Sequence, residues 1–332
     1  MGWTVNDEAR MTNDGLARFS RSPSRYQRRL LLLVFAGLFA LSGASCPQFL
    51  QQYTNPPPRV LPPSPTLEQV IDVVNRNNSQ IQSFSANNAS ITGSGFPALR
   101  ASVAFQRQKR FRLRAETGLT GAEFDLGSND ELFWFWVRRE QPPAMYYCRH
   151  EQFAASQARQ TTPFQPEWLI EAMGVAEFDP ALPHQGPYAL PNDRLEIRTV
   201  RETPEGPAMK VTIVDGSQGW ILEQHVFDAR RQLIASSIAG NHRRDPLSGL
   251  IMPTLVQVNC PPAKFFLRID LGNVQINRLS GNPVELWSMP SYPGTPFVNL
   301  ADPNFQPPRA AAPVAVSAQP QQPPPGWRRP TR

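Results

Sequence analysis

Along much of this chain the apolar residues recur at every second position. Phe111, Leu113 and Ala115 alternate with Arg110, Arg112, Arg114 and Glu116. Leu195 and Ile197 alternate with Arg194, Glu196 and Arg198, and Phe265, Leu267, Ile269 and Leu271 alternate with Lys264, Arg268 and Asp270. A period of two buries one row of side chains and wets the next, which marks antiparallel sheet. Further strands are expected over 83–92, 98–107, 121–126, 132–138, 144–149, 208–215, 219–227, 233–241 and 254–259. Short polar turns such as Asn129-Asp130 and Asp228-Ala229-Arg230-Arg231 separate several of them.

Two segments leave the pattern. From Thr66 to Gln82, Leu67, Val70, Ile71, Val74 and Ile81 fall at helical spacing, with Thr66 as N-cap and Glu68 placed to favour the helix dipole. Glu167 to Met173 reads as a second, shorter helix that follows Pro166 and stops at Gly174. Many strands with one early and one central helix fit either a closed barrel or a half-barrel with helical lids.

The first 46 residues have another character. Arg18, Arg21, Arg25, Arg28 and Arg29 lead into an apolar run from Leu30 to Leu41, and Ser42, Gly43, Ala44 and Ser45 precede Cys46. Twelve residues rise about 18 Å as a helix, short of a hydrocarbon core of roughly 30 Å, so residues 1–45 are expected to be an export signal and not a membrane span. Two ends of that signal stay open. Cys46 after small residues fits a lipid anchor as the new N-terminus; Ser42 and Ala44 fit simple cleavage after Ala44. Residues 46–65 carry seven prolines and read as an extended tether. Residues 303–332 carry nine and read as a disordered tail, leaving 66–302 as the folded domain.

Charge narrows the partners. The chain carries +6, of which the signal contributes six arginines against three acids, so +3 remains. No dense basic cluster stands out, which argues against nucleic acid. Cys148 and Cys260 are left to bridge or to stay as buried thiols, and the spacing does not choose.

No catalytic or cofactor motif is present: the four histidines form no H-E-x-x-H pair, and no G-x-S-x-G elbow, phosphate loop or dinucleotide fingerprint occurs. His242 and Asp245 in the turn Asn241–Pro246 have the residue types of a base and its orienting acid, but a solvated loop is the favoured reading. No cofactor or metal is expected. Leu132-Phe133-Trp134-Phe135-Trp136-Val137 is apolar on both faces of one strand, so each face should meet protein or a hydrophobic ligand.

Three segments in this order resemble the LolA/LolB-type outer-membrane lipoprotein carriers and receptors. Arg107-Gln108-Lys109-Arg110-Phe111-Arg112-Leu113 is similar to their early strand pair, and residues Phe124–Phe135 to the next hairpin, an acidic-Gly turn entering an aromatic strand. Asp245–Pro253 resembles the turn before a late strand. The resemblance, over about 66–280, implies a mostly β fold: an unclosed antiparallel β-barrel of about 11 strands with capping α-helices over a hydrophobic cavity. In that family the cavity accepts lipoprotein acyl chains; the carrier is soluble and periplasmic, and the receptor is itself a lipoprotein. Cys46 places this chain nearer the receptor type. Arg107 matches the arginine that links barrel to lid, although Gln108 stands where the family has proline.

The resulting expectation is a non-enzymatic, exported lipoprotein of the cell envelope, on the periplasmic face of a membrane, in particular the outer one. It would bind lipoprotein acyl chains or another lipid at Phe111, Leu113, Phe133 and Phe135, with Arg107 at the lid. The alternative is a filled barrel that binds protein partners through its loops and tail.

Overall fold

The computed structural model describes residues 57–305, apart from 95, 140–142, 162–165 and 204–205. Cys46, the signal and nearly all of the C-terminal tail lie outside the described residues. Within them the chain is mostly β: a single fifteen-stranded sheet whose path does not close, with short helices on its inner side.

Helix α1, Leu67–Asn78, opens the domain. Its first turn is closed by a capping box: the Gln69 amide donates to Thr66 Oγ1, and the Thr66 amide donates to Gln69 Oε1. Six strands follow: β1 Ser83–Gly93, β2 Phe96–Gln106, β3 Arg110–Thr117, β4 Gly121–Ser128, β5 Leu132–Val137 and β6 Met145–Arg149. Three short helices come next: α2 His150–Phe153, α3 Ala158–Thr161 and α4 Pro166–Ile170. A wider π-type turn over Glu171–Val175 continues α4. The chain then makes β7 His184–Leu190, β8 Arg194–Thr203, β9 Gly206–Asp215, β10 Ile221–Phe227, β11 Leu233–Arg244, β12 Ile251–Cys260 and β13 Phe265–Asp270. Two-residue β14 (Gln275–Ile276), α5 (Pro283–Trp287) and β15 (Phe297–Asn299) finish it.

The sheet is a pair of meanders joined at one seam. β6 to β1 lie in chain order, β1 pairs with β13, and β13 to β7 run on in reverse order. Every pairing is antiparallel except β15 on β6. The seam matches Ser90 with Asp270 and Ile91 with Ile269, so the apolar rows of both halves meet on one face. The sheet curls around that face. Phe111 and Leu113 of β3 share a single buried cluster with Met252, Val256 and Val258 of β12, four strands away along the sheet.

The strand count exceeds the expected 11 or so. β7 lies in a stretch holding Pro183, Gly186, Pro187 and Pro191, which hides a strand in the sequence yet suits an edge, where a missing N–H costs no ladder bond. β14 and β15 are too short to show a period. The central helix is also shorter than its pattern suggested. After Ile170 it widens, and Gly174 at φ 98° ends it with Pro253 so close that a Cβ would stand 2.4 Å from the proline ring. Packing extends past both edges of the expected domain: Leu61, inside the stretch expected as tether, is buried with Val70 and Val74, and Phe305 is buried with Leu300.

Candidate functional site

The inner face of the sheet is not uniform. On β1–β4 and β11–β13 it is apolar and filled: Phe84, Phe105, Phe111, Leu113 and Val256 close around Trp168, Leu169, Ile170 and Met173. Towards the other edge the cross-strand rows turn polar. Ile197, Thr212, Gln224 and Ser237 form one row, and Thr199, Lys210, Val226 and Ala235 the next. Small and polar groups cannot fill the same space as Phe and Leu, and a cavity of about 820 Å³ remains there.

Two walls enclose it. One is the inner face of β8–β11; the other is the helical stretch with the segment after it, which contributes Trp168, Ala176, Phe178 and Leu182. Val226 and Ile234 add apolar surface from the sheet side. The walls are tied together by polar contacts. Lys210 Nζ lies 2.5 Å from Glu171 Oε2, and Gln224 Nε2 donates to the Glu171 carbonyl at 3.3 Å. At the far end α1 packs Val70 and Val74 against Leu195, Ile197 and Val214, with Phe178 between.

Arg107, at the end of β2, joins this helical wall to the sheet. Its Nη1 meets Glu177 Oε1 at 2.6 Å. Its Nη2 donates to the carbonyls of Asn78 at 2.7 Å and Val175 at 3.4 Å, and its Nε donates to that of Ile81 at 2.9 Å. One guanidinium thus satisfies carbonyls at the end of α1 and grips the segment after Gly174.

The four expected lining residues do share the inner face, since β3, β4 and β5 pair Phe111 with Ser128 and Ser128 with Phe133, and Leu113 with Leu126 and Leu126 with Phe135. They fall in two clusters. Phe111 and Leu113 are fully buried beneath Trp168, whereas Phe133 and Phe135 pack with Phe153, Tyr146 and Leu300. The described lining of the large cavity comes from other strands. On the outer face of β5, Trp134 and Trp136 are covered by Met289 and Tyr292. There Trp134 Nε1, Arg112 and the Tyr292 hydroxyl all donate to the buried Asp125 carboxylate. The Tyr292 hydroxyl is held well above the usual tyrosine range, first by burial and then by that carboxylate. Gly127 leaves the space that the Trp134 ring occupies. Both faces of the aromatic strand therefore rest on protein.

The residues lining the cavity carry little sequence signal. The segment around 175–193 reads as an insertion, and past Ile197 the inner positions of β8, with those of β9 and β10, alternate weakly because Thr, Lys and Gln stand where apolar residues are expected.

Possible catalytic groupings resolve into structural contacts. His242 and Asp245 turn apart: the His242 ring stacks on Trp220 and its Nε2 bonds the Ile221 carbonyl, while Asp245 accepts from Ser248 and Arg278. A grouping the sequence does not show is Ser128, His150 and Glu167, with His150 Nε2 3.3 Å from Ser128 Oγ and Nδ1 3.2 Å from Glu167 Oε1. Nε2 lies closer, at 2.9 Å, to the Asn129 carbonyl, which can only accept, so Nε2 carries its hydrogen towards that oxygen. A nitrogen so occupied has no lone pair for Ser128, which is itself buried. The trio clips α2 and α4 to the β4–β5 turn. Among the described residues no group of three His, Cys, Asp or Glu is arranged to hold a metal ion, and no helix is long and apolar enough to cross a membrane. Cys148 and Cys260 are buried free thiols in separate clusters, and burial pushes the Cys260 thiol up to about 12.

No family model matches the chain, and no curated protein matches it in sequence. Solved structures with a similar arrangement do exist. A DUF1329 family protein from Desulfovibrio piger superposes with a TM-score of 0.44 at 13% identity, covering 66% of this chain and 96% of that one. A LolA superfamily protein from Nitrosomonas europaea gives 0.42 at 13%, over 68% and 98%. An outer membrane lipoprotein-sorting protein domain from Vibrio parahaemolyticus gives 0.45 at 7%, over 65% and 96%.

Proposed function

We propose that this chain is a non-catalytic protein of the cell envelope that shelters lipoprotein acyl chains, or another hydrophobic ligand, in the cavity between β8–β11 and the helical segment. The observation that carries this reading is the cavity itself: at about 820 Å³ it falls within the roughly 300–1,000 Å³ of small-molecule sites, and Trp168, Phe178, Leu182, Val226 and Ile234 give it apolar walls. Burying alkyl groups there contributes ~0.8 kcal/mol for each methylene removed from water. Phe111 and Leu113 take part indirectly, by holding the Trp168 segment against the sheet, and Phe133 and Phe135 do the same for α2. Arg107 acts at the lid. The N-terminal pattern supports export and attachment through lipidated Cys46, which would fix the domain at the periplasmic face of the outer membrane. The contacts of His150 with the Asn129 carbonyl and Glu167, which clip the short helices to the sheet, support a role without catalysis.

Native mass spectrometry of the chain from Cys46, mixed with a triacylated lipopeptide or the same peptide without acyl chains, tests this. Stoichiometric binding of only the acylated form is expected, and Ala208→Trp, which projects an indole into the cavity, should weaken it about tenfold or more. Binding of neither peptide would sink the reading and leave an interaction protein working through its loops.

A further inference from the structure

The charges around the cavity are not balanced at its mouth. Five carboxylates line it, and each is already engaged. Glu167 faces His150 and Lys109, Glu171 faces Lys210, and Glu177 faces Arg107. Asp179 accepts the amide of Ala181, and Asp228 accepts those of Arg230 and Gln232 within its turn. Two cations differ. The side chains of Arg201 and Arg230 line the cavity with no hydrogen bond or ion pair to any described residue. Both are exposed, whereas the inner-face residues farther along the same strands are buried.

The register fixes where they stand. On β8 the inner residues run Ile197, Thr199, Arg201, and their partners on β9 are Thr212, Lys210 and Ala208. Four residues of strand span about 13 Å, so Arg201 sits that far from the buried Ile197 row. Arg230 lies in the turn after β10, two strands over and about 10 Å across at ~4.8 Å per strand, within reach of two long side chains turned towards one ligand. A cavity with apolar patches at Trp168, Phe178, Val226 and Ile234 thus ends at an opening with two free guanidiniums.

We infer that the occupant is an amphiphile with an anionic headgroup, a carboxylate or a phosphate ester, held at the mouth by Arg201 and Arg230 with its alkyl chain directed inward past Val226 and Ile234. This rests on the cavity being a ligand site. Guanidinium suits both headgroups because its N–H groups match two oxygens at once. The apolar wall selects for the chain and the arginines select for the charge.

Isothermal titration of the purified full chain at pH 8 separates these statements. The titrants are lauroyl-lysophosphatidylglycerol, the uncharged 1-lauroylglycerol with the same chain, dodecanoate, and inorganic phosphate alone. The anionic lysolipid, dodecanoate or both are expected to bind about tenfold more tightly than the uncharged lauroylglycerol, the effect of hydrogen bonds to a charged group. Which of the two does so divides phosphate from carboxylate. The double variant Arg201→Gln/Arg230→Gln should lose that preference while binding the uncharged lauroylglycerol as before, and both positions are exposed, so its melting temperature should be unchanged. Equal binding of all three amphiphiles, unaltered in the variant, overturns the headgroup inference and leaves the cavity reading intact. Failure of every amphiphile overturns both. Binding of phosphate without any amphiphile overturns it too, because the chain would then contribute nothing.

Discussion

His242 shows how a residue that looks chemical in sequence becomes structural in the fold. Burial against Trp220 lowers its pKa from the ordinary 6.5, and this outweighs the opposing pull of the Ile221 carbonyl and of Asp215. The neutral ring is therefore favoured in the folded state. The unfolded chain binds the proton first as pH falls below about 6.5, so this contribution is present above that value and lost beneath it. His242→Gln keeps a donor for the Ile221 carbonyl and removes the titration. Melting curves between pH 7.5 and 5 should show a shallower decline for the variant; an unchanged slope would mean the ring is not buried neutral. Asp125 makes the same point on the outer face. As one letter it sits in an acidic turn, yet the fold gives it three donors from three separate parts of the chain.

At the level of elements, the two regular patterns led to correct structure for different reasons. The strands with strict alternation, β3, β8 and β13, are found where they are expected because each has one wet and one dry face. Helix α1 follows from its N-cap and apolar spacing, and ends earlier than its pattern because Arg107 takes up the carbonyls of Asn78 and Ile81. Elements of two to five residues and the proline-bearing edge strand β7 carry too little period to be read. The contact between Arg107 and the helical wall is testable on its own. Arg107→Met leaves three carbonyls and the Glu177 carboxylate without their donor, so hydrogen exchange should quicken at 171–178 and at the end of α1 by roughly tenfold or more, from a loss of ~1–3 kcal/mol of local stability. Exchange equal to that of the unmodified chain would remove Arg107 from any part in the lid.

For the whole molecule, the question is where the domain stops and where its interior stays open. Leu61 is fully buried against α1, its amide donates to the Ser217 carbonyl, and Arg59 bonds Asp193, so the stretch read as a tether is anchored to the sheet from residue 59. Leu61→Ala should cost about 2–5 kcal/mol in denaturant unfolding, the usual penalty for a buried leucine, whereas a true tether residue would cost nothing measurable. The sequence by itself determined the class of the protein: a one-sided antiparallel sheet with a helix in front of it. It could do so because a period of two and an N-cap are local properties of the chain. Only the tertiary structure decided that β1 seals against β13, that Trp168 and its neighbours fill one half of the interior, and that the other half stays open below Arg201 and Arg230. Those outcomes depend on which distant rows meet and how their volumes add. An alternation of apolar and polar letters is the same whether the apolar side chains facing it fill the space or leave a void.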